Sequence, residues 1–113
     1  VTHTTVVVGY RAADVQEALS NRRNVEFVMQ EQQLGTGHAV SMCCEQLERM
    51  KGPVLVLAGD SPLVQTSSLQ ELIALAATTK PACLLGTLIK DNPAGLGRIV
   101  RDEHEQFARI IEH

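Results

Sequence analysis

Gln30-Glu31-Gln32-Gln33-Leu34-Gly35-Thr36-Gly37-His38-Ala39-Val40 is the stretch whose reading decides the fold. A short apolar run, Val25-Glu26-Phe27-Val28-Met29, leads into it, and an amphipathic segment from Val40 to Met50 follows. The order implied is strand, glycine-rich turn, helix. Gly35 and Gly37 lack a Cβ, so the chain can turn tightly and a flat ligand can approach the backbone. Thr36, between them, carries a hydroxyl that both donates and accepts. A helix starting near His38 leaves its first N–H groups without intrahelical partners, which favours anionic or carbonyl ligands. Many glycine turns only join a strand to a helix, so the assignment depends on what else converges here.

Outward from this stretch, strand-like and helix-like segments alternate. Thr5 to Val8 is β-branched and apolar and predicts a buried strand ended by Gly9. Ala12 to Asn21 places Ala13, Val15, Ala18 and Leu19 along one helical face. Val25 to Met29 predicts the second strand. Beyond the turn, one helix is expected to carry Val40, Cys43, Cys44, Leu47 and Met50 on a single face, stopped by Gly52-Pro53. Val54 to Ala58 is apolar without alternation, as in a parallel strand covered on both faces. Ser68 to Glu71 fits a capping box for a helix bearing Leu69, Leu72, Ile73 and Ala76, closed by Lys80-Pro81. Ala82 to Ile89 predicts a further strand. Residues 91–97 form a loop, and Arg98 to Arg101 with Phe107 to Ile111 predict a hairpin or meander over the sheet. The fold class expected is α/β, a Rossmann-like, mostly parallel sheet with flanking helices.

Size and charge narrow the functional classes. A chain of 113 residues is one domain at most. Its net charge of −3 comes without a basic block, which points away from nucleic acid and from an anionic membrane surface. No apolar run approaches the roughly 20 residues needed to cross a bilayer, and no signal peptide is visible. A cytoplasmic protein is expected. The three cysteines lack framework spacing and are read as buried, reduced thiols. Val1 is not a methionine, and a piece of a longer protein is expected.

In open α/β sheets ligands collect outside the carboxyl ends of the strands, where the Gln30 turn, Asp60 and the loop from Gly95 to Arg98 all fall. Asp60 ends an apolar run and can hold Mg²⁺, which takes one or two carboxylates plus phosphate oxygens and waters. It can equally start the Ser61-Pro62 turn. Gln30 can pair its amide edge with a nucleobase, or bond neighbouring backbone. Arg98 can meet a phosphate or lie solvated. His38 reads as structural, because no nucleophile-and-acid arrangement asks for a general base. Glu112 can accept from a sugar hydroxyl or be merely exposed.

The segments QEQQLGTGHAV from Gln30, VLVLAGDSPL from Val54, NPAGLGRIVRD from Asn92 and RIIEH from Arg109 resemble the sugar-1-phosphate nucleotidyltransferase family. Within it the likeness is to bacterial uridylyltransferase domains acting on N-acetylglucosamine 1-phosphate. The resemblance implies that Gln30, Gly35, Thr36 and Gly59 bind the nucleotide, with Gln30, Gly35 and Thr36 at the uracil of UTP or the UDP-sugar. It implies Asp60 as catalytic Mg²⁺ ligand, Gly97 presenting its N–H to the sugar, and Glu112 accepting from a sugar hydroxyl. The implied reaction makes UDP-N-acetylglucosamine and pyrophosphate from UTP and N-acetylglucosamine 1-phosphate. Gln30 and Asp60 are then expected to open onto one cleft.

Departures accompany the likeness. The opening VTHTTVVVGYR does not match the family's phosphate-gripping loop, so the chain alone is expected to be inactive. Ala58 and Leu96 stand where relatives often carry tyrosines. Unpaired sheet edges predict either a homo-oligomer or a rearranged sheet. A transferase using CTP or GTP with another acceptor, or a non-catalytic nucleotide-binding module, are the competing readings.

Overall fold

The computed structural model describes residues 2–111, which divide into two compact units meeting at Thr66/Ser67. Glu112 lies outside the described residues.

The first unit is built on a β-α-β arrangement. Strands β1 (Thr4–Val8) and β2 (Val25–Met29) pair in parallel, Thr4 opposite Val25 through Val8 opposite Met29. Helix α1 (Ala12–Leu19) connects them and packs against β2. It ends two residues before the expected Asn21. Ser20 turns its hydroxyl back to the Glu17 carbonyl at 2.7 Å, competing with the helical ladder. Asn24, in the left-handed region at φ 62°, aims the chain into β2. Its carbonyl accepts from Thr4 N at 2.9 Å and starts the pairing. The buried apolar side chains among the described residues are Val8, Ala12 and Cys43.

The expected helix from His38 to Met50 is instead two short ones, α2 (Thr36–Ser41) and α3 (Cys44–Glu48). Cys43 adopts φ −95°, ψ 10°, and its N–H reaches back only three residues, to Val40. The tightened turn breaks the face drawn from the sequence. Cys43 is buried, whereas Cys44 and Met50 are exposed. Cys83 is exposed as well, so one thiol rather than three lies inside.

Two expected strands are absent. Val54 to Ala58 and Ala82 to Ile89 join no ladder, and Val56, Leu57, Leu88 and Ile89 are exposed. The mostly parallel sheet therefore reduces to one parallel pair and, separately, one hairpin. Strand propensity describes how a side chain fits a pleated, half-buried surface. Without a neighbour offering backbone groups, the apolar runs stay irregular.

The second unit holds helix α4 (Thr66–Thr79) from its second residue onward, and the hairpin of β3 (Arg98–Arg101) and β4 (Phe107–Ile111). Because α4 starts at Thr66, Ser68 lies inside its first turn and the expected capping box is not formed. Lys80 closes the helix with φ 48°, its N–H bonded to the Ala76 carbonyl. The hairpin matches its expected boundaries. Asp102 organises its tip: one carboxylate oxygen accepts from the amides of His104 and Gln106, each at 2.9 Å.

Glu26 on β2 accepts from Thr5 Oγ1 at 2.8 Å and lies 3.1 Å from His3 Nε2. His3 first, and Thr5 next, hold its carboxyl below the ordinary 4.5. The charged carboxylate thus stabilises the folded sheet above that value, and the contribution is lost as pH falls through the lower folded value. Urea midpoints measured against pH should show Glu26→Gln destabilised near neutrality, the gap to the wild type closing in acid. Burial raises the Cys43 thiol above its ordinary value, with the Glu26 and Cys44 charges adding to the rise. Mass-resolved alkylation at neutral pH should label Cys44 and Cys83 well before Cys43.

Candidate nucleotide site

Parallel pairing brings the C-terminal ends of β1 and β2 side by side, and the turn starts there. Gln30 N–H donates to the Val8 carbonyl at 2.8 Å. Gly9 follows Val8, and a Cβ at Gly9 would stand 3.1 Å from the Gln30 carbonyl oxygen and 3.0 Å from the Gln33 amide nitrogen. A Cβ there would make the turn give by a few tenths of an ångström, so Gly9 suits the close approach and does more than end a strand. The sequence held one signal for this, a glycine closing a β-branched run.

Across the turn, Gly35 takes φ 93°, ψ −179°, a conformation open essentially to glycine alone. Gly35, Thr36 and Gly37 are exposed, and Thr36 opens α2. Gln30 and His38 are half-buried and face each other across the turn, the Gln30 amide nitrogen lying 2.8 Å from His38 Nδ1. The same nitrogen donates to the Gly35 carbonyl at 3.3 Å.

These two contacts fix the amide's orientation. A carbonyl oxygen only accepts, so the end of the Gln30 amide facing Gly35 is the NH₂ group. Its second N–H then points at His38 Nδ1, which accepts in the tautomer that carries the ring proton on Nε2. Both donors are committed within the turn. Among the described residues the amide oxygen accepts no hydrogen bond. The backbone-bonding alternative for Gln30 is thus realised by its nitrogen, and its oxygen has no partner among the described residues. His38 lies against the Gln30 amide, a partner eight residues upstream that the sequence reading did not include. Beside this pair a shallow depression of about 270 Å³ is lined by Met29, Glu31, Gln32, His38 and Met42.

Gly59 and Asp60 occupy an exposed turn closed by Ser61 N–H to the Ala58 carbonyl at 3.3 Å. The Ser61 hydroxyl approaches the Asp60 carboxylate at 3.4 Å. No hydrogen bond or ion pair among the described residues links Asp60 to the Gln30 turn. Nor do three His, Cys, Asp or Glu side chains gather among them. A lone exposed carboxylate suits a cation that accepts one protein ligand and completes its shell with phosphate oxygens and water, and Mg²⁺ is such a cation. In the second unit, Gly97 is exposed just before β3, and Arg98, the first residue of β3 and also exposed, pairs with Ile111.

The chain belongs to the nucleotidyl transferase family, which matches it over residues 1–113. It is 43% identical over 109 residues to the "Bifunctional protein GlmU" of Streptococcus sanguinis strain SK36, covering 96% of this chain. The protein of the same name from Trichlorobacter lovleyi is 42% identical over 107 residues, 95% of this chain. The chain spans 23% of the length of these relatives. Among the described residues no helix is long and apolar enough to cross a membrane.

Gly35→Ala is expected to cost about 1–3 kcal/mol through the strained φ alone, since a Cβ there would meet open space. Denaturant unfolding measures the loss, and the Gln30 side-chain amide resonances should move with it.

Proposed function

We propose that this chain is part of a UTP-dependent sugar-1-phosphate uridylyltransferase that makes UDP-N-acetylglucosamine and pyrophosphate. The observation that carries this reading is the Gln30–Gly35–His38 turn at the ends of a parallel strand pair, with one acceptor oxygen left open. Family membership supports the reaction class, and the relatives' name supports a bacterial bifunctional parent. Gln30, Gly35, Thr36 and Gly59 are assigned to the nucleotide, Gly97 and Glu112 to the sugar, and Asp60 to Mg²⁺.

In the whole protein, Val54–Ala58 and Ala82–Ile89 are proposed to join a Rossmann-like sheet, bringing Asp60 and the Gln30 turn to one cleft. A sugar-phosphate oxygen attacks the α-phosphorus of UTP, and pyrophosphate leaves. Positioning supplies most of the rate in such transfers, together with charge stabilisation. Gln30 and the turn would orient the base, and Asp60 would anchor the phosphate end through its cation. Mg²⁺, when bound, neutralises charge where two anions meet. The charged substrates suit a cytoplasmic location. Both edges of the β1–β2 pair are open among the described residues, and association with a second copy is proposed through them.

The test is titration of the labelled protein with UTP, CTP and GTP. UTP should shift the Gln30, Gly35 and Thr36 resonances, and CTP should leave them nearly unmoved. Equal response to all three nucleotides would overturn the uridine assignment, and silence at the turn would overturn the nucleotide reading. In the full-length protein, Asp60→Asn should lower kcat on the order of 100-fold or more, measured by pyrophosphate release. Unchanged turnover would remove Asp60 from the metal site.

A further inference from the structure

We propose that His38 is a positioning residue for base selection: by accepting at Nδ1 it prevents the Gln30 amide from flipping, so that this amide presents an acceptor and no donor to the ligand. The proposal rests on the nucleotide reading of this turn. An unrestrained glutamine can present either end of its amide, because the two ends differ only by a half-turn about the last side-chain bond. A free Gln30 would then match a base edge offering a donor or one offering an acceptor. The turn removes that freedom. With the nitrogen held by Gly35 O at 3.3 Å and His38 Nδ1 at 2.8 Å, a flip would set the amide oxygen against a carbonyl oxygen and a ring lone pair.

The chemistry of pyrimidines makes this restraint selective. Uracil carries N3–H, a donor, whereas the N3 of cytosine is a bare acceptor. A fixed acceptor facing that position bonds uracil and meets cytosine lone pair to lone pair. Sites that present a buried, oriented polar group discriminate chiefly by leaving it unpaired with the wrong ligand. Gln30 and His38 are both half-buried, which limits how far water can compensate the mismatch. Restraint also lowers the ordering cost on binding, because the side chain already holds the orientation it uses.

The restraint depends on the tautomer, and that gives a readout independent of any ligand. In the full-length protein labelled with ¹⁵N-histidine, the long-range ring couplings of His38 should report the proton on Nε2. Assignment follows from the signal missing in a His38→Asn variant. A proton on Nδ1 at neutral pH would overturn the proposal whether or not UTP binds.

The second arm measures affinities for UTP and CTP. His38→Ala should weaken UTP roughly tenfold, about one hydrogen bond's worth, while leaving CTP unchanged or slightly tighter, so that the preference shrinks. His38→Asn, whose Oδ1 falls near the place of Nδ1, should restore most of that preference. Equal weakening of both nucleotides would show a purely structural role and overturn the proposal. If wild-type UTP binding leaves Gln30 unmoved, the nucleotide reading fails and the proposal with it. If Gln30 responds to UTP but His38→Ala keeps the full preference, the proposal fails alone.

Discussion

The last rung between the parallel strands, Gln30 N–H to the Val8 carbonyl, is the constraint on which the rest of the first unit hangs. It sets the point where β2 stops being a strand, and so the place where the turn begins. It also lays the Gln30 carbonyl beside Gly9, at a separation no larger residue would accept without displacement. A parallel pair cannot be closed by a tight turn and needs a crossover, which α1 supplies. With both strand ends fixed, the chain from Gln30 to His38 has to return within eight residues, and Gly35 absorbs the reversal.

That geometry explains why the turn carries hydrogen bonds of its own. A glutamine at a strand end would ordinarily be solvated. Here the returning chain brings a carbonyl and an imidazole to its amide nitrogen, and the oxygen has no partner among the described residues. The arrangement is half-buried, held at one side by the sheet and bordered on the other by a shallow depression. Asp60 presents a contrast. It sits in an exposed turn with only a serine hydroxyl near its carboxylate.

The irregular segments have the same physical origin as the ordered ones. β1 and β2 exist because each supplies the other's ladder, and β3 and β4 do likewise. Val54 to Ala58 is as apolar as β1, yet carries no regular structure, because no described strand faces it.

Much was legible in the residues alone. Val25 to Met29, Arg98 to Arg101 and Phe107 to Ile111 were placed to the residue, since β-branched and aromatic runs between turn formers carry a local signal. The glycine turn followed from residue types that admit few conformations. What residue types could not give were facts that depend on a second segment arriving. These include the missing pairing of two apolar runs, the break at Cys43 that buries one thiol and exposes its neighbour, the packing of Gly9 under the turn and the partnership of Gln30 with His38. Local preference follows from covalent structure and side-chain shape, and can be read along the chain. Ladders, burial and amide orientation are relations between distant atoms, and folding alone brings those atoms within a few ångströms.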